Sequence, residues 1–114
     1  MKLLFIITKG LEKAGSATRA MEFATLAAQQ GNQVEVFLID EAVHWAQGIR
    51  AANGKSMNDY LSILLNDEYH VHVCKSCTDR RHISPDDLIE GVIISSAPTL
   101  VEMMASPDYK VFTF

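Results

Sequence analysis

Both cysteines of the chain, and three of its four histidines, fall in one run, "HVHVCKSCTDRRH", from His70 to His82. Cys74 and Cys77 are separated by two residues. Around them Lys75, Arg80 and Arg81 stand against Asp79, a local excess of positive charge. Cationic neighbours favour thiolate over thiol, and so do the free amides of a helix expected to begin near Thr78. The thiolate is the nucleophilic form of cysteine. Three chemistries fit the spacing. A redox dithiol would place C-x-x-C at the start of a long helix after a strand, but here Ser84-Pro85 cuts the helix short. A zinc site would need partners for the two sulfurs from His70, His72 or His82, and no second C-x-x-C is present. A single nucleophile would be Cys74, at the end of an apolar strand, with Cys77 as helper or second carrier. A structural role for Cys74, as a small buried apolar group, competes with all three.

Elsewhere the chemistry is sparser. Gly10 and Gly15 have the G-x-x-x-x-G spacing of a phosphate loop, but Ser16 stands where the phosphate-binding lysine belongs. A glycine-bounded turn into a helix is the simpler reading. His44 and Trp45 follow the second strand, and Trp45 suits either a subunit contact or the core. Met103 and Met104 read as helix packing. Asp40 and Glu41 read as solvated or capping groups with no acid–base role. The residues themselves call for no metal and no organic cofactor.

These residues need a scaffold, and the apolar pattern supplies one. Strands are expected at Lys2–Thr8, Gln33–Ile39, His70–Cys74, Gly91–Ser95 and Tyr109–Phe114. Near-continuous apolar runs such as "KLLFIIT" mark strands covered on both faces. Between them, Ser16 is expected to cap a helix to about Gln30, with Ala17, Ala20, Met21, Ala24, Ala27 and Ala28 on its inner stripe and Gly31 as left-handed terminator. A short helix is expected around Glu41–Gln47. A capping box at Ser56–Asp59 would open a helix with Met57, Tyr60, Leu61, Leu64 and Leu65 inward. Ser84-Pro85 starts a short turn of helix closed by Gly91, and a box at Thr99–Glu102 starts the last helix. Strict alternation of strand and helix predicts an α/β fold: a three-layer α/β/α sandwich around a parallel five-stranded sheet. Ligands in such sheets gather at the carboxyl ends of strands, here Thr8–Gly10, Asp40–Trp45, Cys74–Arg81 and Ser95–Pro98.

The 114 residues suit one domain, 1–114, and 48% hydrophobic with 21% charged residues is an ordinary globular composition. A net charge of −4 gives no support for nucleic acid or an anionic membrane as partner. The apolar amino-terminal run reads as a buried strand rather than a leader, and a cytoplasmic location is the expectation. Two cysteines do not make a secreted disulfide framework.

With those residues in view, the sequence resembles the DsrE/DsrF family of sulfur-relay proteins, and within it the YchN-type branch. The resemblance lies in "CKSCTDRRHIS" (Cys74–Ser84), "LIEGV" (Leu88–Val92) and the terminal "DYKVFTF" (Asp108–Phe114), and extends to "VEVFLIDEAVHWA". It implies a five-stranded parallel α/β/α sandwich and a homo-oligomer, trimer or hexamer, with the cysteine loop near subunit contacts. It also implies that Cys74 accepts sulfane sulfur as a persulfide from a donor protein and passes it to an acceptor, a sulfurtransferase-like role. Cys77 would be the second thiol, and Lys75, Arg80, Arg81 and His82 the electrostatic or titratable neighbours. The family has glycine where this chain has His82, at a turn that favours positive φ.

Overall fold

The computed structural model describes residues 1–48 and 57–114. Five strands form one sheet: β1 (Lys2–Ile7), β2 (Gln33–Leu38), β3 (His70–Cys74), β4 (Ile93–Ser95) and β5 (Tyr109–Thr113). All pairings are parallel, in the order β4-β3-β2-β1-β5. The helices between them are α1 (Ala14–Gln29), α2 (Met57–Asn66), α3 (Lys75–Arg80) and α4 (Ala97–Ala105). The expected α/β architecture is therefore present, a parallel sheet flanked by helices.

The strand order dictates which face each helix takes. The chain steps in one direction from β1 through β2 and β3 to β4. It then reverses, crossing the whole sheet from β4 to β5. Right-handed crossovers put α4 on the face opposite α1 and α2. Phe23 of α1 lies 6.4 Å from Phe114 at the sheet edge, and Phe5 stacks on Phe112 at 5.4 Å. Leu4, Ile7, Val36, Phe37, Leu38, Val71 and Val73 have no exposed surface, which is what apolar strands covered on both faces require.

Local details depart from expectation in instructive ways. Ser16 does not cap α1: the helix starts at Ala14, because a 3₁₀ turn at Leu11–Lys13 runs directly into it. Its buried stripe includes Thr25, whose hydroxyl donates to the Met21 carbonyl at 2.8 Å, while Ala27 is only half-buried. Gly31 does terminate it, at φ +92°. The last helix starts at Ala97 rather than Thr99. Ser96 is its cap, accepting from the Thr99 amide, and Pro98 sits in the first turn. The Ser84–Asp87 segment forms only a 3₁₀ turn. The expected capping role of Ser56 lies outside the described residues, but α2 does bury Met57, Leu61 and Leu64.

Gly10 shows why glycine stands there. A Cβ on it would lie 2.9 Å from both the Glu41 Cβ and the Glu41 carbonyl oxygen. Its smallness serves close packing of two loops, not a phosphate. Gly15 has open space around a would-be Cβ, on an exposed helical position. Gly15→Ala is therefore expected to raise stability by up to about 1 kcal/mol through helix propensity. Gly10→Ala is expected to lower it by about 1–3 kcal/mol through overpacking. Urea denaturation of the two variants checks both signs.

Candidate functional site at the end of β3

β3 turns into α3 without an intervening loop residue. Cys74 is the last residue of the strand and the N-cap of the helix, with extended backbone at φ −70°, ψ 122°. The expectation of a helix starting near Thr78 is corrected by three residues. Thr78 does not cap: its hydroxyl donates to the Lys75 carbonyl at 2.9 Å, inside the helix. The correction matters chemically, because it brings the free amides of the first turn to Cys74 itself.

Both thiols are free, and each residue keeps only 6% of its surface exposed. Burial opposes ionisation of Cys74. Against it act the Ser76 hydroxyl, 3.2 Å from Sγ, the Cys77 thiol, and the backbone N–H groups of Cys77 and Ser76. The sulfur closes no full capping hydrogen bond, yet these donors together carry Cys74 below the ordinary thiol range. Cys77 moves the other way. Burial raises it, and so does the neighbouring Cys74 sulfur, although the Asp40 amide donates to its Sγ at 3.3 Å. The pair is thus unequal: Cys74 is the readier anion, Cys77 the proton-holding partner.

The cations are placed differently from the sequence expectation. Lys75 is paired with Asp79 at 2.8 Å on the exposed face of α3. Arg81 donates to Glu41 at 2.7 Å and to the Cys77 carbonyl at 3.1 Å. Neither cation is among the groups that lower Cys74; hydrogen-bond donors of α3 do that work. Arg80 is exposed at the end of α3. Arg81 instead ties the cysteine helix to the segment after β2, where Glu41 belongs to a 3₁₀ helix, Asp40–Gln47. Sequence reasoning gave Asp40, Glu41 and Ser76 no place in this site. Ser76 was discoverable from its position between the cysteines; the Asp40 amide and Glu41 depend on the parallel pairing of β2 with β3.

His82 occupies the turn that ends α3, at φ +56°. Its N–H donates to Asp79 O, while the Ile83 N–H donates back to Thr78 O, the paired bonds of a Schellman ending. Histidine adopts the left-handed conformation that favours glycine. Trp45 is in the core, 1% exposed, and its indole N–H donates to the Lys9 carbonyl at 2.8 Å. His44 sits beside Gln47 and Glu41. His70 and His72 do not approach the cysteines as zinc partners would: both engage Glu35. Met103 packs against the core from α4, whereas Met104 is exposed.

The profile of the DsrE/DsrF-like family matches residues 1–114. The chain belongs to that family. It is 36% identical over 91 residues to protein YchN of Escherichia coli, covering 78% of this chain and 77% of YchN. It is 33% identical to the uncharacterized protein MJ0989 of Methanocaldococcus jannaschii over the full length of both. The crystal structure of the Escherichia coli ychN protein superposes with a TM-score of 0.89 at 28% identity, over 100% of this chain and 99% of that one. Both the family and the YchN branch read from the cysteine run and the carboxyl-terminal motifs agree with these likenesses. No helix among the described residues is long and apolar enough to cross a membrane.

Two outcomes follow from the geometry. Ser76→Ala and Cys77→Ala should each raise the apparent pKa of Cys74, read from the pH dependence of its alkylation rate, whereas Lys75→Gln should leave it nearly unchanged. His82→Gly should stabilise the fold by about 1 kcal/mol by relieving the left-handed strain, measured by thermal unfolding.

Proposed function

We propose that this DsrE/DsrF-like chain is an intracellular sulfur carrier that holds sulfane sulfur as a persulfide on Cys74. The observation that supports it is the unequal thiol pair at the β3–α3 junction, with Cys74 favoured as the anion. The thiolate of Cys74 attacks the outer sulfur of a donor persulfide. A bond forms between Cys74 Sγ and that sulfur, the donor's S–S bond breaks, and the donor leaves as thiolate. The acceptor's thiolate then takes the same outer sulfur and returns Cys74 as thiolate. No net oxidation occurs, and no acid–base pair is needed beyond groups that stabilise sulfur anions. Cys77, holding its proton, steadies the anion by donation and can itself serve as a second carrier.

The carrier works as a homo-oligomer, trimer or hexamer, in this reading. α4 has no buried residue, although its sequence is mostly apolar. Val101 and Met104 on it are exposed large hydrophobic groups. An apolar helix left uncovered in a single chain is a surface made for another chain. A second reading, a non-catalytic oligomeric binding module, is favoured by one observation: the small exposure of the two thiols.

Incubation with a cysteine desulfurase and cysteine, followed by mass spectrometry under non-reducing conditions, separates the readings. The carrier gains one sulfur atom, lost on reduction, and Cys74→Ser abolishes the gain. Equal sulfur uptake by Cys74→Ser, or none by the parent chain, would sink the carrier reading. Native mass spectrometry should show trimers or hexamers that Val101→Asp dissociates; a monomeric parent would contradict the assembly.

A further inference from the structure

A second group of ligating side chains lies on β2 and β3, toward the strand starts, with His72 two residues before Cys74 on the same strand. The register pairs Glu35 with His70 and Phe37 with His72, so Glu35, His70 and His72 project from one face of the sheet. The Glu35 carboxylate lies between the two imidazoles. Its Oε2 is 2.8 Å from His70 Nδ1, and its Oε1 is 2.7 Å from His72 Nε2. One ligating atom from each residue lies within 4.8 Å of the other two. The side chains span a gradient of exposure: His72 9%, Glu35 16%, His70 59%.

The surroundings fix the inner members. Phe37 stacks flat on the His72 ring, 5.0 Å between centroids and 5° from parallel. Ser95 of β4 holds His72 Nδ1 at 2.8 Å. A hydroxyl can donate or accept, so Ser95 serves either imidazole tautomer. The tautomer with Nδ1–H donated to Ser95 leaves the Nε2 lone pair aimed at the carboxylate side, which is the form a metal requires.

Two imidazole nitrogens and one carboxylate oxygen are the donor set of catalytic zinc sites and of related divalent transition metals. Ligand bonds of about 2.0–2.1 Å in a tetrahedron place donor atoms roughly 3.3 Å apart. The two short contacts go to different oxygens of Glu35, so a metal needs the carboxylate to turn one oxygen toward both imidazoles and the donor set, now within 4.8 Å, to settle at that spacing, a movement that the exposed His70 and a rotating carboxylate allow. We propose that Glu35, His70 and His72 bind a divalent metal of the zinc type, with Ser95 as outer partner and the fourth position open toward solvent beside His70. The site shares no ligand with the thiol pair and does not rest on the sulfur-carrier reading.

The test uses the untagged full chain carrying Cys74→Ser and Cys77→Ser, so that no thiol competes. Titration with Co²⁺ should give the visible absorption of a tetrahedral site, displaced by Zn²⁺ at one ion per chain in calorimetry. In the same background Ser95→Ala should weaken Zn²⁺ binding about tenfold, and His70→Ala by more. His70 is mostly exposed, so its loss leaves the fold intact, and Glu35→Gln preserves shape while removing the charge. The proposal is overturned if the thiol-free chain binds neither ion. It is equally overturned if His70→Ala and Glu35→Gln bind as tightly as their parent, since the carboxylate would then serve only to pair the two histidines.

Discussion

The chemistry of this chain depends on the absence of a loop between β3 and α3. A strand that turns directly into a helix leaves its last residue facing the unpaired amides of the first helical turn. When that residue is cysteine, its sulfur meets N–H groups, a serine hydroxyl and a second thiol without needing a cation. Cys74 is in that position. Burial, which alone would hold the thiol neutral, is overcome by short-range hydrogen-bond donors. These act at contact distance and are little screened by salt, unlike the charge of an exposed lysine.

The neighbouring loops keep this junction in place. Gly10, after β1, presses against Glu41 so closely that no side chain fits. Trp45 fills the core beneath the same loops and bonds to Lys9. Glu41 reaches Arg81, and Asp40, at φ +51°, turns its amide toward the Cys77 sulfur. Asp40 holds a left-handed conformation that aspartate tolerates better than most residues. The loops after β1, β2 and β3 thus form one connected rim, and Arg81 belongs to its mechanical part.

Much of this was legible in the residues. Apolar runs of strand length, separated by helical periodicity, gave five strands in nearly their observed positions, because buried parallel strands leave little freedom in residue type. The cysteine run and the carboxyl-terminal motifs identified the family. Helix starts were less legible. Ser16 and Thr99 each looked like caps, and each lies inside a helix that began earlier, since a preceding 3₁₀ turn and Ser96 took over the task. The role of the charges was not legible at all. Lys75, Arg80 and Arg81 are close to Cys74 in sequence, but Lys75 and Arg81 are claimed by Asp79 and by Glu41, the latter forty residues away. Likewise His70 and His72 suggested cysteine partners, whereas strand register delivers them to Glu35. Pairing across a sheet is a property of the fold, and no local pattern announces it.

The two sulfurs differ through an asymmetry that the folded chain creates from two chemically identical groups. In an unfolded chain neither has a helix terminus, a buried neighbour or an amide from the segment after β2, so both revert to ordinary thiols. The most direct measurement is therefore the pH profile of Cys74 alkylation, resolved by peptide mass spectrometry, in the native chain and in the same chain unfolded in urea. The account predicts a lower midpoint for Cys74 in the native chain than in urea, and below that of native Cys77. A native midpoint for Cys74 equal to or above the unfolded one would contradict it.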